Sequence, residues 1–360
     1  MPSSSHAPAR IAIVRLSHLG DIVLALPVFH ALRAAYPRAR IVWIAQSEFA
    51  SLLDGLPGLE RVVRFERRGG LRAWIALRAE LREFAAELAV DAQGNWKSAA
   101  ATWCTGAARR VGLARVDWRE KLAAGLISEH AAPCAPQREH AFERSLALGR
   151  HLVGDFTPRR DPDSTAVELA SAGEHFARLV DASRCVILQL SPRDDVRSWP
   201  VERAAQLARA LAADGTAVVV LSGPAEVTEA REVEARCADE PRIRHWIGQR
   251  GLRELAAFFS VSAQRGARYI GCDTGPTHLA AACGLPVVVL AGPQSHLRTG
   301  PWPVAVPSPW GSSEHRAVRS SDPPTCAPCF ARKCSHALGP VCMSAIRADE
   351  VLAVLARREE

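Results

Sequence analysis

Three short polar clusters stand where apolar runs end, and each has residue types able to bind or transform an anionic ligand. In the first, Tyr269-Ile270-Gly271-Cys272 gives way to Asp273-Thr274-Gly275-Pro276-Thr277-His278 and then to Leu279-Ala280-Ala281-Ala282. That order is a strand, a tight turn and a helix. Gly275 lets a ligand approach the backbone, Pro276 suits a first helical position, and the free N–H groups of a helix start attract phosphate. The same letters also suit a plain connection in which Asp273 caps the helix and His278 packs in a core. Near the start, Arg15-Leu16-Ser17-His18-Leu19-Gly20-Asp21 repeats the layout. It places Asp21 in the first turn of a helix, where a carboxylate either takes a proton as a general base or complements the helix dipole. The third cluster, Asp91-Ala92-Gln93-Gly94-Asn95-Trp96-Lys97, crowds Gln93, Asn95 and Lys97 into one turn. A substrate site and a solvent-facing loop both use such residues.

Cys326, Cys329, Cys334 and Cys342 are spaced C-x2-C-x4-C-x7-C among turn residues. Four thiolates so placed can close on zinc or iron, with no open ligand position and therefore a structural role. Reduced cysteines packing a loop fit the same letters. Asp161-Pro162-Asp163 has the letters of a divalent-ion motif, but a rigid proline separates the acids in a polar stretch that reads as a linker. His140, His151 and His175 fall in helical patterns without partners at metal-ligand spacing, and His18 shares the turn of Asp21.

The elements that must position these clusters alternate. Strands are expected at Arg10–Leu16, Ile41–Ala45, Arg61–Phe65 and Leu88–Asp91, with helices at Ile22–Ala35, Phe49–Leu53, Leu71–Leu88 and Trp96–Cys104. Beyond the polar segment Asp155–Thr165 the alternation restarts. Strands are expected at Cys185–Leu190, Ala217–Leu221, Arg268–Cys272 and Pro286–Leu290, with helices at Val201–Ala213, Ala225–Cys237, Leu252–Val261 and Pro276–Cys283. Strands alternating with helices make parallel sheets. The expected architecture is therefore two α/β domains, residues 1–160 and 161–325, followed by a Cys-rich segment and C-terminal helix over 326–360 that packs back on the N-terminal domain. Two such domains leave the carboxyl ends of both sheets at one cleft, where open α/β sheets bind ligands. Pro301–Pro309 is a proline-rich loop.

The chain has 360 residues, 48% hydrophobic and 23% charged, with a mean hydropathy of −0.02, which excludes a disordered or fibrous protein. No apolar stretch approaches the roughly 18 residues of a membrane span. The polar Met1–Arg10 lacks the apolar core of a signal peptide, so a cytoplasmic location is expected. Six of the ten cysteines stand singly, as buried reduced thiols do. A net charge of +7 draws polyanions: nucleic acid, anionic lipid headgroups or phosphorylated substrates. No basic arm or basic-aromatic stripe supports nucleic acid.

Taken together, Gly20-Asp21, Asp91–Ala99, Arg193-Asp194-Asp195 with Arg197-Ser198-Trp199-Pro200, Gly223-Pro224-Ala225-Glu226, and Asp273-Thr274-Gly275 through His278 resemble the bacterial lipopolysaccharide heptosyltransferases, in order and over nearly the whole chain. The resemblance implies the GT-B architecture, two Rossmann-like domains with parallel sheets. It also implies inverting, metal-independent transfer of L-glycero-D-manno-heptose from ADP-heptose to a Kdo or first-heptose acceptor of the inner core. It makes Asp21 the general base and Arg197 a phosphate-binding catalytic residue, with arginine where lysine is common, a change to a bidentate fork. Ser191, Arg197, Glu226, Asp273, Thr274, Gly275 and His278 become donor-binding residues, and Ser17, His18, Gly20, Gln93 and Lys97 acceptor-binding ones. No catalytic cofactor is implied; zinc or iron at the cysteines would be structural. Work at the cytoplasmic face of the inner membrane is implied, with peripheral contact for which Arg64, Arg67, Arg68 and Arg72 are candidates. Other readings are a related transferase acting on a protein or another glycan, and a nucleotide-sugar binding module without turnover.

Overall fold

The computed structural model describes residues 7–66, 68–134, 140–249, 251–302 and 315–356. Arg67 and residues 303–309 of the proline-rich loop, both singled out above, lie outside them. The chain divides into two units between Asp163 and Ser164, against an expected boundary at 160/161. Residues 154–165, between the last helix of one unit and the first of the next, are without regular structure.

The first unit runs β1 (Arg10–Val14), α1 (Leu19–Ala35), β2 (Arg40–Gln46), α2 (Ser47–Leu53), β3 (Arg61–Phe65), α3 (Gly70–Phe84), β4 (Leu88–Asp91), α4 (Trp96–Cys104), β5 (Arg109–Gly112), β6 (Glu129–His130) and α5 (Ala141–Val153). The six strands form one sheet in the order β3-β2-β1-β4-β5-β6, all parallel. Alternate residues of the central strands serve opposite faces. Ala12, Val14, Val42 and Ile44 meet Leu77, Leu81 and Phe84 of α3 and Ala101 and Cys104 of α4. On the other face Phe29 of α1 packs by Trp43, and α5 packs on α1. The helix expected over 71–88 stops at Phe84 because Ala85 turns left-handed, with φ 52°; Leu88 then opens β4. Helix α1 starts at Leu19 rather than Ile22, its first turn closed by Ile22 N–H on the carbonyl of His18.

The second unit runs α6 (Ala166–Leu179), β7 (Cys185–Gln189), α7 (Val201–Ala213), β8 (Ala217–Leu221), α8 (Val227–Arg236), β9 (Ile243–Trp246), α9 (Leu252–Gln264), β10 (Arg268–Cys272), α10 (Gly275–Ala282), β11 (Val287–Leu290), α11 (His296–Thr299), β12 (Arg316–Val318), α12 (Val341–Ser344) and α13 (Ala348–Ala356). Its six-stranded parallel sheet has the order β12-β11-β10-β7-β8-β9. One face buries against α7, α8 and the C-terminal residues Met343, Ile346 and Val351. The C-terminal helix, expected to return to the N-terminal domain, instead lies on α7 and β12 of this unit. Trp199 Nε1 donates to the carbonyl of Ile346 at 3.0 Å, and Arg268 and Arg316 donate to carbonyls of α13.

Counted within each unit, both sheets follow the order 3-2-1-4-5-6. The succession reverses between β1 and β4 and again between β7 and β10, and the carboxyl ends of strands at such a reversal are where doubly wound sheets bind ligands.

Candidate active site

All three polar clusters lie at those two reversals. In the first unit Val14 of β1 pairs with Asp91 of β4, so the segments that follow them, Arg15–Asp21 and Ala92–Lys97, leave the sheet side by side. Asp91 is fully buried. Its Oδ1 accepts the N–H groups of Gln93 and Gly94 at 2.8 and 2.9 Å. Burial pushes its carboxyl above the usual range, against the pull of those two hydrogen bonds. The turn it ties needs Gly94, whose φ is +78°, a conformation that strains any side chain. Thus formed, the turn presents Gln93, which accepts the N–H of Leu16 at 2.7 Å and so joins the two loops.

Arg15 makes the second tie. Its guanidinium donates to the carbonyl of Ala92 and forms an ion pair with Asp21, Nη2 to Oδ1 2.8 Å. Oδ2 of Asp21 accepts the N–H of His18 at 3.3 Å. Asp21 is thereby fixed in the first turn of α1, as its place in the sequence required, with 40% of its side chain open to solvent. A carboxylate so oriented and accessible can take a proton from a hydroxyl. Gly20 is buried beneath this turn, Ser17 is half-buried, and exposed His18 sets its ring edge against Phe49. Lys97 is exposed in the first turn of α4, and no contact joins it to Asp21.

In the second unit Arg197 occupies the corresponding crevice. Its backbone N–H and Nε donate to Oδ1 of Asp195, both at 2.8 Å, Nη2 donates to Oδ2, and Nη1 reaches the carbonyl of Asp273. Burial alone would raise the Asp195 carboxyl, but the hydrogen bonds from Arg197 win and hold it below the usual range. Arg197 is therefore a locked cation carried between the ends of β7 and β10. Asp273, buried, accepts from Thr299 Oγ1 at 2.8 Å through Oδ2, while its Oδ1 stands 3.1 Å from Nε2 of His278. Thr274 precedes the first turn of α10, Gly275 opens it, and Thr277 bonds back to the carbonyl of Cys272. Nδ1 of His278 is buried without a partner among the described residues. Ser191 is buried at the end of β7, its carbonyl accepting from Ser198 Oγ at 3.1 Å. Glu226 follows β8 one strand away. Burial raises its carboxyl above the usual range, helped by the charges of Glu229 and Asp195. Gly223 makes room for it: a Cβ there would stand 2.9 Å from Oε2 of Glu226.

Four residues that anchor these sites gain that role only from the structure: Arg15, Asp91, Asp195 and Thr299. Arg15 carried a visible signal, a charge directly closing an Ile/Val run. Thr299 carried none, because only the fold brings it to Asp273.

The other chemistry-bearing residues have structural partners. Cys326, Cys329, Cys334 and Cys342 line one small cavity with His336, but among the described residues no three His, Cys, Asp or Glu are arranged to hold a metal ion. Asp161 and Asp163 pair with Arg159, and the carbonyl of Asp161 lies 2.9 Å from Nε2 of His30. His140 caps α5, His151 pairs with Glu129 and His175 stacks on Trp246. No helix among the described residues is long and apolar enough to cross a membrane.

Heptosyltransferases are among the known proteins that this chain resembles. The family model of glycosyltransferase family 9 (heptosyltransferase) matches residues 74–337. Lipopolysaccharide heptosyltransferase 1 of Pseudomonas aeruginosa is 28% identical over 91% of this chain and 88% of its own length. Among solved structures, a family 9 glycosyl transferase from Veillonella parvula superposes with a TM-score of 0.77 at 19% identity, covering 96% of both chains. The E. coli heptosyltransferase WaaC with ADP gives a TM-score of 0.69 at 22% identity, covering 96% of this chain and 98% of that one. Both share this fold over nearly their full extent. The chain belongs to glycosyltransferase family 9, the heptosyltransferases.

Proposed function

We propose that this protein transfers L-glycero-D-manno-heptose from ADP-heptose to a Kdo or first-heptose hydroxyl of the lipopolysaccharide inner core, with inversion and without a metal. One observation carries the reading: Asp21, accessible at the reversal of the first sheet, has its carboxylate held by Arg15 in a fixed orientation. Asp21 takes the proton of the acceptor hydroxyl as that oxygen forms its bond to the anomeric carbon. The bond from that carbon to the β-phosphate oxygen breaks, and its electron pair leaves with ADP. Attack opposite the leaving group inverts the centre in a single step.

Negative charge that grows on the departing diphosphate is met by the Arg197 guanidinium and the first turn of α10, groups already fixed before the reaction. His278, oriented by Asp273, offers Nδ1 to a phosphate oxygen when protonated or to a sugar hydroxyl when neutral. Glu226, beside β8, suits the ribose hydroxyls of the nucleoside. The ADP bound by the E. coli relative supports a nucleoside diphosphate as leaving group. Because the acceptor is lipid-anchored, the enzyme works at the cytoplasmic face of the inner membrane.

The test is mass spectrometry of Kdo2-lipid A, and separately of its monoheptosylated form, after incubation with ADP-heptose in EDTA. Addition of one heptose to one of these acceptors is expected and identifies the step. No addition to either one overturns the assignment, in favour of another acceptor or a sugar-nucleotide binder without turnover.

A further inference from the structure

Helix α3 is amphipathic in an unusual sense. Leu77, Leu81 and Phe84 are buried on the sheet, as expected of a crossover helix. On its opposite face, where solvent should select polar residues, stand Leu71 and Ile75, 76% and 60% exposed and one turn apart. Trp103 of neighbouring α4 is also half-exposed, with the guanidinium of Arg78 4.8 Å from its ring centre.

Around these apolar groups the charge is one-sided. Arg68, Arg72, Arg78 and Arg82 are exposed, and none has a carboxylate ion partner among the described residues. Nearby Arg61 pairs with Glu80, Arg64 with Asp54 and Arg40 with Glu60, while exposed Arg38 and Arg115, like the arginines of this face, have no carboxylate ion partner among the described residues. Of the nearby acids, Glu66 accepts from Ser47 Oγ, and exposed Glu83 lies at the far end of the helix. An apolar stripe flanked by unpaired arginines, with a tryptophan at its margin, has the composition of an interfacial helix face. The charge selects anionic headgroups, each arginine stem lying on the apolar surface while its head reaches phosphate.

We infer that the outward face of α3, extended by Trp103, docks this protein on an anionic lipid bilayer. Helix α3 begins just beyond β3, at the carboxyl edge of the sheet that also carries Asp21. Docking by Leu71 and Ile75 therefore brings that edge to the headgroup layer, where a hydroxyl of a membrane-anchored glycolipid lies. The inference rests on the proposed lipid-anchored acceptor for its purpose, but not for its measurement.

The experiment is co-sedimentation of the full chain with vesicles of phosphatidylglycerol and phosphatidylethanolamine, and with phosphatidylcholine vesicles alone. The wild type is expected on the anionic vesicles and not on the zwitterionic ones. Leu71→Ser with Ile75→Ser, and separately Arg68→Glu with Arg72→Glu, are each expected to weaken vesicle binding at least about tenfold. Heptose transfer to a soluble acceptor stripped of acyl chains should stay unchanged in both, which also shows that both fold. Wild-type vesicle binding by either double variant overturns the inference, as does equal binding of the wild type to both kinds of vesicle. Absence of vesicle binding also overturns it and leaves the face to a protein partner. Vesicle binding that depends on these residues, without any heptose transfer, upholds the docking face and overturns the proposed reaction alone.

Discussion

Replacing Arg15 tests how the proposed base is held. The guanidinium forms an ion pair with Asp21, Nη2 to Oδ1 2.8 Å, and donates to the carbonyl of Ala92. An ion pair open to solvent contributes about 0.2–1 kcal/mol. Arg15 has 13% of its side chain exposed and Asp21 has 40%, which puts this pair near the upper end, about 1 kcal/mol. At about 1.4 kcal/mol per tenfold in rate, losing that hold slows transfer roughly fivefold if Asp21 only loses orientation. If the carboxylate swings about 1 Å from the reacting hydroxyl, the loss approaches ~100-fold. Arg15→Met is thus expected to lower kcat by about fivefold to a hundredfold, with KM for ADP-heptose little changed. Arg15→Lys keeps the charge and one donor, and should recover part of the loss. Steady-state kinetics with each substrate varied in turn reads both quantities. Wild-type kcat in Arg15→Met refutes the reasoning. So does a raised donor KM with kcat intact, which would place Arg15 in donor binding.

Two predictions concern the second unit. Asp273→Asn cannot accept from both Thr299 and His278, so the first turn of α10 loses its brace; KM for ADP-heptose should rise about tenfold, read by donor titration, with a smaller change in kcat. Glu168 accepts the Thr165 N–H at the start of α6 and a two-pronged contact from Arg253 at 2.8 and 2.7 Å. These contacts pull its carboxyl to about 2 from 4.5. The stability that shift represents, on the order of 3 kcal/mol, is complete above pH 4.5 and is lost as pH falls toward 2. Urea unfolding of Glu168→Gln should show that loss at pH 7 and a difference that narrows below pH 4.5; equal stability of the two proteins at pH 7 would contradict it.

How far the residues alone led depends on burial. The central strands were legible because both faces of a parallel sheet are covered, so Ile11–Val14, Val186–Leu188 and Ala217–Leu221 are continuous apolar stretches bounded by polar turns. Edge and peripheral strands were not. Arg109-Arg110-Val111-Gly112 and Ile243-Arg244-His245-Trp246 form β5 and β9 with only part of each buried, and their charged letters look like loop. The candidate site was legible where the local chain carries it: Asp21 in a first helical turn, and Asp273 through His278 at a strand end. It was hidden where anchoring is long-range. Arg197 is fixed by Asp195, two residues away, but reaches Asp273 only through the pairing of β7 with β10. The cysteine spacing was visible, yet spacing along the chain does not set the directions of thiols in space, and the described geometry forms no metal cage.

The measurement closest to the central claim is the turnover of Asp21→Asn beside the wild type, with ADP-heptose, the accepted inner-core acceptor and EDTA. Asparagine keeps the size of the side chain but cannot take the proton. A loss of about 10²–10⁴ in kcat, the usual worth of a general base, is expected, with donor affinity retained. Turnover of Asp21→Asn at the wild-type rate would contradict it.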